Sequence, residues 1–147
     1  MNVMLDNGAY IPERAHELDA GYDLRTPFDI DVPATICRGD NDYVAIGCAV
    51  IDTGIHAEIP AGHVGFLKSK SGLNVKHNII GTGTIDAGYT GSIVVKLYNL
   101  NNAPYHFNKG DKIIQLVILP IATPELKIVD HFEETERGNN GFGSSGK

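Results

Sequence analysis

The chain has 147 residues, 42% of them hydrophobic, which fits one globular domain with a modest core. Its formal charge of −6 argues against a nucleic-acid polymer as partner, since such partners are met by a basic face. Two cysteines, Cys37 and Cys48, are too few for a disulfide scaffold, and the six histidines form no HExxH or clustered ligand pattern.

The first residues, Met1 to Asp6, have no basic region followed by an apolar run, so no secretory signal is expected. Tyr43 to Ile51 is rich in β-branched and aromatic residues and predicts a strand. Ile55 to Ile59 alternates apolar and polar residues with period two, and Pro60-Ala61-Gly62 ends that run with a turn. A short helix is predicted from about Ser71 to Lys76. Gly81 to Gly91 holds four of the seventeen glycines and reads as a hairpin. In Ser92 to Asn99, Ile93, Val95 and Leu97 share one face, and Val94, Lys96 and Tyr98 the other. Turns are expected at Asn101 to Pro104 and Asn108 to Asp111. Lys112 to Leu119 is nearly all apolar, as for a strand buried on both sides, and it is too short to span a bilayer. Many short strands with frequent turns point to an all-β sandwich or barrel. The last residues, Arg137 to Lys147, are mostly Gly, Ser and Asn and read as a flexible tail, in which one Arg and one Phe stand out. The two thiols are expected to be reduced, in a cytoplasmic protein that neither enters a membrane nor binds nucleic acid.

Several of these segments could carry chemistry. Ser69 to Leu73 puts a cation, a hydroxyl and a glycine before the helix, which suits an anion, although Ser-Gly is also an ordinary turn. Asp86 and Tyr89 in the Gly-rich hairpin are either turn residues or a base and a packing ring. Gln115 is a polar amide inside an apolar strand. It needs a partner there, and a structural bond and a ligand contact are equally open. Gly141 to Lys147 matches GxxxxGK, but no helix follows and the Lys is last, so a P-loop is excluded.

Together these segments resemble the five motifs of the trimeric dUTPase family. Ala20-Gly21-Tyr22-Asp23-Leu24 is similar to the first and Lys70-Ser71-Gly72-Leu73 to the second. Gly83 to Gly91 resembles the third, Gly110 to Leu116 the fourth, and Arg137 to Gly146 the fifth. The order and number of the motifs make the resemblance specific. It implies a jelly-roll-like β-sandwich or distorted barrel, with a domain at 1–132 and a flexible C-terminal arm at 133–147. It also implies a homotrimer with shared active sites that hydrolyses dUTP to dUMP and diphosphate. In that role Asp86 activates the water that attacks the α-phosphorus, and Tyr89 packs under the deoxyribose. Backbone at Gly83, Thr84 and Ile85 pairs with uracil. Lys70, Ser71, Gly72 and Gln115 meet phosphates. Arg137 reaches the γ-phosphate, Phe142 covers uracil, and Gly143, Ser144 and Ser145 wrap the phosphates. Mg²⁺ is chelated by the triphosphate, with Asp23 acting through water. Lys70 stands where the family commonly has Arg, a point charge in place of a bidentate fork. The alternatives are a dCTP deaminase of the same fold, for which no acid/base motif is found, and a nucleotide-gated regulatory protein whose partner the sequence does not name.

Overall fold

The computed structural model describes residues 1–36 and 45–140. In chain order the strands are β1 (Val3–Leu5), β2 (Gly21–Arg25), β3 (Ile30–Val32), β4 (Gly47–Asp52), β5 (Ile55–Ala57) and β6 (His63–Lys68). After helix α1 (Ser71–His77) come β7 (Ile79–Asp86), β8 (Val94–Asn99), β9 (Tyr105–Phe107) and β10 (Lys112–Pro120). Six strands form one antiparallel sheet in the order β2-β10-β6-β7-β8-β4. Two small sheets, β1-β5 and β3-β9, flank it. The fold is therefore all-β, with one short helix among the described residues, as the alternating patterns require. Tyr43 and Val44, the start of the strand expected from Tyr43 to Ile51, lie outside the described residues. No helix among the described residues is long and apolar enough to cross a membrane.

Period-two patterning sorts the side chains as expected on β8. Ile93, Val95 and Leu97 are buried, while Val94 is half exposed. They join Leu24, Ile51, Ile55, Leu67, Ile79 and Leu116 in one continuous core. β10 departs from expectation. Ile113, Ile114 and Leu116 are buried, but Leu119 is 43% exposed, so within one chain this strand is covered on one face only. A single sheet has one core side, and apolar residues on its other face gain no cover from their own chain.

The sheet curls because β7 changes partner along its length. Ile79 to Gly81 pair with β8, whereas Thr82 to Asp86 pair with β6. Gly81 sits at the change. A Cβ there would lie 2.9 Å from Ile114 Cδ1 and 3.1 Å from the Lys96 carbonyl oxygen, so any larger residue would crowd the core and the neighbouring backbone. The hairpin read from Gly81 to Gly91 is thus paired only at its base, and its arms part beyond Gly81.

Candidate active site

The basic end of the sheet is built by a bulge. Strict alternation along β10 would put Lys112 on the face opposite Gln115. The register against β2 shifts between Lys112 and Ile114, so both Ile113 and Ile114 turn into the core. Lys112 then shares the face of Gln115 and of its cross-strand partner Asp23. Asp23 is only 6% exposed. Its two carboxylate oxygens meet Lys70 Nζ at 2.5 Å and Lys112 Nζ at 2.7 Å. Burial alone would push this carboxyl up. The bonds from Lys112 and Lys70, and their charges, outweigh it and hold Asp23 below the ordinary carboxylate range.

Lys70 reaches Asp23 from the junction of β6 and α1. Ser69 fixes that junction: its hydroxyl donates to the Gly81 carbonyl at 3.0 Å and accepts from the Gly81 amide at 2.9 Å. Lys70 is the N-cap, and its side chain makes no capping bond. The amides of the first helical turn, from Ser71 onward, therefore lack intrahelical partners. Gly72 opens on free space, with nothing within 4 Å of where a Cβ would stand. Gln115 lies over Gly21, where a Cβ would come 2.7 Å from the Gln115 Oε1. Gly21 makes room for the amide that the sequence leaves unexplained.

The other end carries Asp86 and Tyr89. Among the described residues no second strand pairs with Thr82–Asp86 on the side away from β6, so the backbone of Gly83 to Ile85 presents an open edge. Gly83 is not glycine for the sake of that edge: its missing Cβ would press on Leu67 Cδ1 at 2.9 Å. Past Asp86 the chain turns, with the Tyr89 amide donating to the Asp86 carbonyl at 3.1 Å. The Tyr89 hydroxyl donates to the Ser92 carbonyl at 2.9 Å, which folds the ring back over Gly91. Ser92 in turn donates to Asp52, and this bond with that from the Gly54 amide holds the Asp52 carboxyl below its usual range.

The two ends are separate within one chain. Asp86 pairs with Val64 on β6, whereas Gln115 pairs with Lys68, four residues further along. That is about 13 Å along the strands and two strands across. Arg137 stands apart from both, exposed, its Nε donating to the Asn140 carbonyl at 3.2 Å. Phe142, Gly143, Ser144 and Ser145 lie outside the described residues.

The dUTPase family model matches residues 7–146, nearly the whole chain. The chain belongs to the dUTPase family. A deoxyuridine 5'-triphosphate nucleotidohydrolase of Arabidopsis thaliana is 41% identical over 97% of this chain and 80% of its own length. The dUTPase of Staphylococcus bacteriophage 80alpha, solved with dUPNHPP, superposes with a TM-score of 0.86 at 36% identity, covering 99% of this chain and 98% of its own. A mutant dUTPase from phage phi11 of S. aureus, described for its coordination of a structural Mg(II) ion, matches at 34% identity and a TM-score of 0.76, over 90% of this chain and 98% of its own.

Within this dUTPase fold Lys112, which is not among the residues expected at the site, stands on Asp23 as Lys70 does. Its only sequence signal is a cation opening an apolar strand, and strict alternation would put it on the face away from Gln115.

Proposed function

We propose that the chain hydrolyses dUTP to dUMP and diphosphate, limiting uracil incorporation into DNA and supplying dUMP for dTMP synthesis. The observation that carries this reading is the open edge of β7, which ends on Asp86 and is followed by the Tyr89 ring. A free strand edge offers alternating donors and acceptors to the Watson–Crick side of a base, and Gly83, Thr84 and Ile85 supply them. Tyr89 packs on the sugar, leaving no room for a 2′-hydroxyl. Asp86 accepts the proton of the water that attacks the α-phosphorus. Phosphoryl transfer asks mainly for positioning and charge neutralisation, which Lys70, Ser71, Gly72, Gln115 and Arg137 provide, with Phe142, Gly143, Ser144 and Ser145 closing over the nucleotide.

Among the described residues no group of three or more His, Cys, Asp or Glu could hold a metal ion. Asp23 is the carboxylate that would meet, through water, an ion carried in by the triphosphate, and Lys70 and Lys112 now occupy both its oxygens. When bound, Mg²⁺ neutralises phosphate charge.

The active enzyme is a homotrimer with shared sites. Asp86 and Gln115 must both act at the α-phosphorus, yet about 13 Å of strand separates them in one chain, so a second copy has to complete the site. Leu126, Ile128 and Phe132 are almost fully exposed, an apolar stretch that another subunit covers. The domain at 1–132 is then followed by an arm at 133–147, which delivers Arg137 and Phe142 to a neighbour. We place the enzyme in the cytoplasm, or in host cytoplasm if a virus encodes it. Diphosphate release should be measured with Mg²⁺ across dUTP, dTTP, dCTP and UTP. dUTP alone is expected to turn over well, and Asp86→Asn should lower kcat by roughly 10²–10⁴ while dUTP still binds. Equal use of the four nucleotides, or a near wild-type rate for Asp86→Asn, would sink this reading.

A further inference from the structure

The turn that carries Tyr89 is tethered from outside at one ring. His56, in β5, points its Nδ1 at the Thr90 carbonyl at 2.8 Å, and since a carbonyl only accepts, Nδ1 carries the proton. The other ring nitrogen, Nε2, lies 3.3 Å from Asp6 Oδ1, beyond the end of β1, and is buried without a well-formed hydrogen bond. The side chain is only 19% exposed. Beside it is a cleft of about 270 Å³ lined by Val3, Met4, Ala57, Glu58 and Thr90, so little packing backs the apex on that side. Three carboxylates face the ring's neighbourhood. They are Asp6 after β1, Asp52 at the end of β4, and Glu58, which accepts from Asn2 at 2.6 Å.

We infer that His56 is a positioning residue for the hairpin of Asp86 and Tyr89, tying its apex to the N-terminal strand most firmly when the imidazole is protonated. This role builds on the dUTP reading of the hairpin. The protonated ring donates on both sides, to Thr90 and toward Asp6. The neutral ring cannot satisfy both. With its proton on Nδ1, the Nε2 lone pair faces a carboxylate; with its proton on Nε2, the Thr90 bond is lost. The bond to Thr90, set against burial and joined by Asp6 and Asp52, raises the His56 pKa above its ordinary 6.5. As pH climbs through that raised value the tether weakens, and the surface that Tyr89 offers the sugar loses its fixed place.

Two measurements test this. In the nucleotide-free protein, the amide resonances of Tyr89, Thr90 and Gly91 should move together with one inflection above pH 6.5. His56→Gln, which can still donate to Thr90 but does not titrate, should abolish it. Asp6→Asn should shift it to lower pH. In steady state with dUTP, wild-type KM should rise toward about pH 9 while kcat stays level. His56→Ala should raise KM about fivefold at about pH 6, the worth of one ordinary hydrogen bond, with no further rise. Amide shifts that ignore His56→Gln, or a His56→Ala variant with wild-type KM and pH rise, overturn the inference. The resonance measurement decides it even if His56→Ala fails to fold. It also decides it if dUTP proves not to be the substrate, an outcome that wild-type diphosphate release reads separately.

Discussion

Asp23 shows how one residue can be costly to bury and still be kept. A carboxylate this enclosed is stable only because Lys70 and Lys112 bond it from two places, the β6–α1 junction and β10. Its folded pKa lies below the ordinary value of 3.8, so it holds fewer protons folded than unfolded. Stability from the cluster is therefore fully present above 3.8 and lost as pH falls through the lower folded value. Asp23→Asn should cost about 1–3 kcal/mol at neutral pH, since both lysines keep part of their exposure and can turn to water. Urea unfolding at about pH 7 and about pH 3 should find that difference shrinking in acid. A gap that stays the same at both pH values would mean that the charge of Asp23 is not what the lysines hold.

At the scale of elements, the turn after β7 depends on a small residue next to a large one. A Cβ on Gly91 would stand 2.3 Å from the Tyr89 hydroxyl, and the cheapest relief is to swing the ring off the Ser92 carbonyl. Tyr89 is 45% exposed, so Gly91→Ala should change stability by less than about 1 kcal/mol. The dUTP/UTP ratio of kcat/KM should fall by roughly tenfold or more. An unchanged ratio would remove Tyr89 from sugar selection. Gly91 also marks the limit of what alternation and turn chemistry reveal. Strand β8 and the helix start at Ser71 were legible, because periodicity and glycine act locally. The bulge that brings Lys112 to Asp23 was not, because it is one residue of register decided by pairing with β2. The splayed hairpin was equally hidden, since β7's change of partner depends on what packs at Gly81. β10 looked buried on both faces because its sequence records apolar content and not what covers it.

For the whole molecule, the proposed roles of Asp86 and Gln115, which lie far apart in one chain, would make the assembly part of the catalyst. Two inactive variants can test this: full-length Asp86→Asn, and a chain with intact Asp86 that ends after Glu136. Alone, neither should hydrolyse dUTP well. Unfolded and refolded together in equal amounts, they should regain about a quarter of the sites, because the acid and the arm must each come from the right copy. No recovery in verified hybrids, or sedimentation at the mass of one chain, would refute shared sites. The open edge of β7 has a further consequence. An unpaired strand edge invites pairing with any other extended chain, and so invites aggregation. Here the edge is limited to Thr82–Asp86, shows exposed threonines at Thr82 and Thr84, and closes on the charge of Asp86. The carboxylate proposed to activate water would therefore also guard the edge against self-association.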